Sequence, residues 1–293
     1  MNRRLVHIIS FALLFAFLIS SGSATAQNIS CTYSYWKKNT TDPEAKYRVV
    51  HDMKVDKYDK QTVYYCESTF IRDSIRSVAF DSQGMTIDEE AYAQLTRIQS
   101  GNKDIAICDF EEKTMTVGYE LGTTIVLGTN NLELPKWDLL EESRVINGYS
   151  CHKAVSNYLG REWIAWFTDE IPISTGPWLL WGTPGLIVEA RDAENIAVFR
   201  LTGTEKLPDR HKMDFMRLFY SEKHAEGQHF AFPMKKAESL HTKAMTDHDF
   251  FFQLLGISTV YRINSSGNKE EAKLPPYIPL IPSEYWSNHA IKP

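Results

Sequence analysis

The residues that could do chemistry lie closest together between Ile146 and Asp192. Ser150, Cys151, His152 and Lys153 place a hydroxyl, a thiol, an imidazole and an amine in a row. Successive residues of a β-strand point to opposite faces, so Cys151 and His152 would point apart, as would Ser150 and Lys153. A nucleophile needs its base within hydrogen-bond reach. The run therefore does not predict a nucleophilic site.

Histidines do not predict a metal centre either. His224 and His229 are five residues apart, and His241 and His248 are seven apart. Neither pair has the spacing of two ligands on one helical turn with a glutamate between them. Phosphate-binding and dinucleotide-binding glycine motifs are absent from the sequence. We predict no catalytic residue, metal or cofactor, with a hydrolase site assembled from distant residues as the alternative.

The clustering of the tryptophans is the most unusual feature of the sequence, because four of the seven fall between positions 163 and 181. A strand over 161–167 would place Trp163 on one face and Trp166 on the other. Both faces are then covered, or one lines a pocket for an apolar or ring-bearing ligand with an arginine orienting its acidic group. The candidate ligand-binding residues are Trp163, Trp166, Trp178, Trp181, Arg161 and Arg191.

The segment from Ile171 to Gly185 cannot be regular structure, because its prolines lack donors and its glycines favour turns. It is nevertheless apolar, so it must fold over the sheet or close on a ligand. One core can bury only one of Trp163 and Trp166 fully, so the expected task of this loop is to cover the second face of the strand. Pro184-Gly185 has the form of a type II turn, which predicts a positive φ at Gly185.

The rest of the chain is rich in β patterns. It predicts a mainly β (β-rich α+β) fold with a curved antiparallel sheet and a few covering helices. A capping box at Thr86–Glu89 predicts a helix that ends before Gly101. The predicted strands are 46–55, 61–70 with 77–80, 105–109, 113–119, 123–127, 153–159, 161–167, 186–191 and 196–202, and the late helices are 233–244 and one after 246.

Both termini differ from this body. Arg3 and Arg4, an apolar run and Ala24-Thr25-Ala26 predict a signal peptide over 1–26 that is cleaved before Gln27, hence a periplasmic or secreted protein with no transmembrane span. Prolines after Leu274 predict an extended strap over 274–293. The remaining residues, 27–273, are predicted to form a single β-rich domain.

The net charge and the cysteine content restrict the possible partners and chemistry further. The net charge is −5 and becomes −7 without Arg3 and Arg4, which argues against nucleic acid as a partner. Export permits disulfides. Three disulfide connectivities are possible for four cysteines, and some of the cysteines could instead be reduced thiols. The four cysteines are Cys31, Cys66, Cys108 and Cys151.

The central stretch resembles the GLPGLI family of exported bacterial proteins. The resemblance is carried by Gly-Tyr-x-Cys-x-Lys-Ala from 148, Gly-Arg-x-Trp from 160, Ile-Pro-Ile from 171, Gly-Pro-Trp from 176 and Gly-x-Pro-Gly-Leu-Ile from 182. Thr183 stands where the family name has leucine. The motif residues with a structural role are Gly148, Cys151, Gly160, Pro172, Gly176, Pro177, Gly182, Pro184 and Gly185.

What the resemblance implies is an envelope protein of unknown activity. Family members are often encoded near outer-membrane β-barrel transporters, and the strand pattern looks like the open half-barrel of periplasmic lipoprotein carriers. We predict a non-enzymatic binding, carrier or accessory protein that takes an apolar or peptide ligand or works beside such a transporter. The alternatives are the hydrolase, peptidase-like, and a structural partner of an outer-membrane assembly.

Overall fold

The protein is built on one large β-sheet. The computed structural model describes residues 28–42, 44–79, 85, 88–98, 101, 104–121, 124–212, 230–254, 261–263, 267–271 and 277–288. The strands of the large sheet are β1 Ile29–Lys37, β2 Arg48–Lys57, β3 Gln61–Cys66, β4 Ile105–Asp109, β5 Thr114–Leu121, β6 Thr124–Asn131, β7 Asp138–Ile146, β8 Tyr149–Tyr158, β9 Arg161–Thr168, β10 Leu186–Asp192, β11 Ala197–Lys206 and β12 Phe230–Pro233. A separate small sheet pairs β13 (Tyr261–Ile263) with β14 (Lys269–Glu271).

The twelve strands run in the order β12-β6-β5-β4-β3-β2-β1-β11-β10-β9-β8-β7. Neighbours pair antiparallel except β12, which lies parallel to β6. The sheet is not closed into a barrel, since β12 and β7 form its two ends. The predicted mainly β fold is confirmed, with one parallel pair at an end.

The face that carries Tyr33, Trp163 and Phe199, here called the inner face, holds the main core. Period-2 alternation puts these side chains on one side of their strands. Three segments cover this face: the loop 171–185, helix α3 (Met234–Thr246) and the C-terminal segment 277–288.

The opposite side, here called the outer face, has its own smaller apolar cluster. Val63, Tyr65, Ile105 and Ile107 pack there with Phe70 of helix α1 (Glu67–Ala79). Helix α1 corrects the predicted strands at 67–70 and 77–79, whereas 61–66 is strand as predicted and Phe80 lies outside the described residues. The strand ends at Cys66, and apolar residues at helical spacing then turn one side of α1 to the sheet.

The N-cap of helix α2 (Glu89–Arg97) lies two residues after Thr86, the N-cap of the predicted capping box. The N-cap is Asp88, whose Oδ1 accepts a hydrogen bond of 2.9 Å from the backbone N–H of Ala91. Thr86 lies outside the described residues. Arg72 of α1 ties the two helices together by donating to the carbonyl oxygens of Leu95 and Ile98.

Three further predictions concern the late helices, the C-terminal strap and the cysteines. The late helices form as α3 and α4 (His248–Leu254). The extended strap is only partly extended, because Ser283–Asn288 forms a short helix, α5. All four cysteines are buried free thiols, so none of the three disulfide pairings is present.

The predicted leader, residues 1–26, lies outside the described residues. Within the part of the chain that is described, no helix combines the length and apolar character that a membrane crossing needs.

Candidate ligand pocket on the outer face

The loop 171–185 lies on the inner face, against Trp163. The ring centroids of Trp163 and Trp178 are 5.6 Å apart, and both side chains are buried. Leu179 and Leu180 are buried beside them. The sequence predicts that this loop covers one face of β9 but does not say which face. Where the chain returns to β10, Ile187 donates its N–H to the carbonyl oxygen of Thr175.

Trp181 belongs to the rim of the same core. Its ring lies 5.0 Å from that of Phe110, and its carbonyl oxygen accepts a 2.7 Å hydrogen bond from Nε1 of Trp137. Three of the four clustered tryptophans therefore pack on the inner face with one another or with neighbouring rings. Trp163 and Trp178 belong to the main core, and Trp181 packs against it.

Gly185 is needed for close approach and not for a left-handed turn. A Cβ atom at this position would lie 1.9 Å from the carbonyl oxygen of Thr168, and φ is outside the positive region. The predicted positive φ is therefore wrong. Positive φ values occur instead at Gly148, Gly160 and Gly182. The first two occupy the tight turns of the β7–β8 and β8–β9 hairpins.

Arg161 is buried and holds the C-terminal segment in place. Its guanidinium donates to Asp192 at 3.1 Å and to the carbonyl oxygens of Pro279 and Leu280 at 2.7 and 2.9 Å. Burial raises the pKa of the Asp192 carboxyl above its ordinary value, and the Arg161 charge opposes that rise. The Arg161 guanidinium also contacts the exposed Glu194 at 3.2 Å, so its described contacts are all to other parts of this chain.

Trp166 faces outward and starts a row of side chains across the sheet. The register pairs Trp166 of β9 with Glu189 of β10, and Glu189 with Arg200 of β11. Arg144 of β7 reaches over β8, with its guanidinium 4.1 Å from the centroid of the Trp166 ring and 2.6 Å from Oε1 of Glu189. Aromatic and guanidinium groups therefore alternate along this part of the outer face.

A pocket of about 330 Å³ opens next to this row. The next register row passes from Arg191 through Val198 to Trp36, and the pocket lies over both rows. Its lining residues are Trp36, Tyr47, Glu189, Arg191, Asn195, Val198 and Arg200. Of the six ligand-binding candidates from the sequence, Arg191 is the one that lines this pocket.

The pocket is electropositive although the whole chain is acidic. Its carboxylate, Glu189, is held by Arg200 at 2.9 Å as well as by Arg144. Arg191 donates instead to the neutral amide oxygen of Asn195 at 2.9 Å. Arg144 and Arg200 carry two positive charges against the one negative charge of Glu189, and the partner of Arg191 is neutral. Positive charge is therefore in excess at this pocket.

Aromatic rings supply the rest of the wall. Trp36 is half-buried, and Tyr47 is 38% exposed. The Arg200 guanidinium lies 5.7 Å from the Trp36 ring centroid, and Lys38 Nζ lies 4.7 Å from that of Tyr47. Such a wall can stack a planar or apolar group and bind an anion at the same site.

Three of the buried cysteine thiols are poor nucleophiles. Burial raises the pKa of the thiols of Cys31 and Cys108 to about 12, and it raises that of Cys151 as well. A thiol must ionise to act as a nucleophile, so these thiols are unreactive at neutral pH. No group of three His, Cys, Asp or Glu residues within the described ranges could hold a metal ion.

Cys151 and His152 do not form a pair. The ring of His152 lies 5.8 Å from that of Phe167 on the inner face, and its Nδ1 lies 3.1 Å from the hydroxyl of Ser143. Cys151 lies on the opposite side of β8, where its thiol donates to the carbonyl oxygen of Tyr149.

Sequence reasoning missed Trp36, Tyr47, Glu189 and Arg200. A signal for Trp36 was present in β1, where Cys31, Tyr33 and Tyr35 alternate with Thr32, Ser34 and Trp36. That alternation is typical of a half-buried strand, and it puts Trp36 on the outer face. The pairing of β1 with β11 carries no comparable local signal.

A family model described as "Protein of unknown function (Porph_ging)" matches residues 160–189. These residues form β9, the loop 171–185 and the start of β10, so the match falls on the stretch with the dense motif spacing. A comparison with curated proteins gave no match.

Two solved structures of a protein called PNGF-II, in space groups C2 and P21, are similar to this chain. The TM-scores are 0.47 and 0.42, with 16% and 17% sequence identity. The alignments cover 75% and 66% of this chain and 34% and 30% of the PNGF-II chains. The chain thus spans about a third of the length of these relatives.

Proposed function

We propose that this protein is a non-enzymatic binding protein of the cell envelope, a carrier or an accessory factor beside an outer-membrane transporter. The observation that carries the proposal is the outer-face pocket, where Arg191, with a neutral partner, lies beside the aromatic wall of Trp36. The ligand class is a flat ring or apolar body joined to an acidic group. The envelope location rests on the leader pattern in the sequence.

The physical case combines stacking with charge. Apolar area that leaves water contributes about 25 cal/mol per Å². A ring laid on Trp36 and Val198 therefore gives useful affinity without any catalytic group. A guanidinium that already forms an ion pair would have to give it up to bind an anion, whereas Arg191 keeps its donors available beyond Asn195. We therefore assign Arg191 to the acidic group of the ligand.

A matched pair of fluorescent probes tests this assignment. Anilinonaphthalene sulfonate carries a ring system and an anionic group, and phenyl naphthylamine carries the same rings without the charge. We expect the sulfonate to bind more tightly than the uncharged probe. Arg191→Met should weaken the sulfonate by about tenfold, equivalent to about 1.4 kcal/mol. It should leave the uncharged probe unchanged.

Two further variants serve as the aromatic test and the control. Trp36→Ala should weaken both probes, because it removes the stacking wall that they share. Arg97→Met removes one exposed charge from helix α2, away from the pocket, and should weaken neither. If Arg97→Met and Arg191→Met lower sulfonate binding equally, binding follows net charge alone and the proposed pocket is wrong.

A further inference from the structure

Among the described residues, no strand pairs with the second side of β7, which leaves a long open edge on the sheet. Strand β7 is nine residues long and pairs with β8 on one side. Leu139 is 56% exposed and Val145 is 75% exposed on this strand. The other end of the sheet is better protected, because β12 has four residues and ends in Pro233. Short edges and proline are common protection against unwanted strand pairing.

The hairpin turn determines which backbone groups of β7 face outward. Asn147 and Gly148 have φ values of 52° and 87°, as a two-residue type I′ turn requires. In such a hairpin the flanking residues, Ile146 and Tyr149, exchange hydrogen bonds, and bonded and non-bonded pairs then alternate. Ser143 and Val145 fall in non-bonded pairs. Their N–H and C=O groups therefore point to the open side.

A bulge divides the edge into an acidic half and an apolar half. The register moves from Leu139–Ala154 to Ser143–His152, so residues 140–142 of β7 oppose the single Lys153 of β8. Glu142 pairs with Lys153 at 2.8 Å. Asp138 and Glu141 form no ion pair with any described residue, and both are exposed. Carboxylates thus precede the regular Ser143–Ile146 segment.

We propose that this edge binds an extended segment of another protein, which adds as a further strand beside β7. The segment carries an apolar side chain against Val145 and lysine or arginine side chains against Asp138 and Glu141. In this mode of recognition, main-chain hydrogen bonds supply affinity and alternate side chains supply specificity. The opposite charges also steer the partner to the edge.

A second copy of the chain fits the edge less well. It would bring its own Asp138 and Glu141 to an edge that already has uncompensated carboxylates. The regular segment Ser143–Ile146 is four residues long, and a specific dimer buries at least about 1,200 Å² in total. A short peptide strand needs no more than the few backbone groups that Ser143 and Val145 present.

The first test uses a synthetic peptide of alternating valine and lysine, labelled for fluorescence anisotropy at low ionic strength. Val145→Pro removes an N–H that faces the open side, and proline is tolerated at such edge positions. We expect this variant to keep its fold and to bind the peptide at least about tenfold more weakly. Val145→Thr keeps the N–H and should bind within about twofold of wild type.

The second test varies the peptide and the charges. A peptide N-methylated at alternate residues keeps its charge but cannot pair as a strand, and we expect it not to bind. The double variant Asp138→Asn with Glu141→Gln should weaken the unmodified peptide and reduce its salt dependence. Arg191→Met, in the outer-face pocket, should leave peptide binding unchanged, so a failure of the pocket proposal does not affect this test.

Two results would overturn the proposal. One is equal binding of the unmodified and N-methylated peptides, which would mean that the acidic surface attracts any cation. The other is a wild-type dimer that Val145→Pro dissociates, since the edge would then belong to a second copy of the chain.

Discussion

Arg161 and Asp192 form a buried ion pair, 3.1 Å apart, at the point where the C-terminal segment crosses the sheet. The same guanidinium donates to the carbonyl oxygens of Pro279 and Leu280. One side chain therefore neutralises a buried carboxylate and binds backbone groups of a proline-rich segment that has few donors of its own.

Loss of this guanidinium should destabilise the protein strongly. Arg161→Met leaves Asp192 buried without its partner, and such changes cost about 3–5 kcal/mol. Urea unfolding followed by tryptophan fluorescence measures the effect. Glu194→Gln is the matched control, because Glu194 contacts the same guanidinium at 3.2 Å but is largely exposed. It should cost less than about 1 kcal/mol. Equal losses in both variants would contradict a special role for the buried pair.

Gly185 should tolerate no side chain. In Gly185→Ala the new methyl group would meet the Thr168 carbonyl oxygen and also lie close to that of Ile171. Overpacking of this kind typically costs about 1–3 kcal/mol, and the upper end applies because backbone must move. Gly203→Ala is the control, since a Cβ atom added there would have no neighbour within 4 Å. Thermal melting should separate the two variants clearly; a wild-type melting temperature for Gly185→Ala would show that the loop can shift.

Lys57 should make stability depend on pH in the alkaline range. Its ammonium lies 4.4 Å from the Phe110 ring centroid, and burial lowers its pKa from 10.5 to about 8. Between these values the unfolded chain binds more protons than the folded one, so the stability contributed by Lys57 rises with pH. Lys57→Met removes this rise. The free energy of unfolding of wild type minus that of the variant should therefore increase from about pH 8 to 10.

Lys60→Met is the control for that experiment. Lys60 is paired with Glu111 at 2.6 Å, and this contact raises its pKa above 10.5. The stability it contributes is fully present below 10.5 and is lost only as pH rises through the higher folded value. Its difference from wild type should stay flat where that of Lys57→Met changes. A flat response in both variants would contradict the lowered pKa of Lys57.

Local signals in the sequence were enough to predict the hairpins on either side of the loop 171–185. Gly160 marks the turn between β8 and β9, and the period-2 pattern placed Trp163 and Trp166 on opposite faces, as the structure confirms. The β10–β11 hairpin was predicted for the same reason. Both depend on residues near one another in the chain, where turn chemistry and alternation act directly.

The pocket could not be predicted in this way, because it depends on which strands become neighbours. Trp36 reaches Val198 and Arg191 only through the pairing of β1 with β11 and of β11 with β10. The apolar loop was equally ambiguous, since either face of β9 could have received it. The loop is fixed by the backbone hydrogen bond at Thr175 and the close approach of Gly185 to Thr168, and these are tertiary relationships.

The buried tyrosines offer the last prediction, which separates a paired hydroxyl from one that has no partner. The Tyr33 hydroxyl donates to the carbonyl oxygen of Ile187 at 2.7 Å, whereas that of Tyr64 has no hydrogen-bond partner among the described residues. Both side chains are fully buried. Tyr33→Phe should cost about 0.5–1.5 kcal/mol, the net contribution of one hydrogen bond.

Tyr64→Phe should instead be neutral or stabilising by up to about 1 kcal/mol, because it removes a polar group that is buried without compensation. The ring keeps its edge-on contact with Phe199, at 6.3 Å between centroids, so packing changes little. Urea unfolding of the two variants under one set of conditions gives the comparison. If Tyr64→Phe costs as much as Tyr33→Phe, the Tyr64 hydroxyl is hydrogen-bonded in solution, and an ordered water in the inner core would be the group to look for.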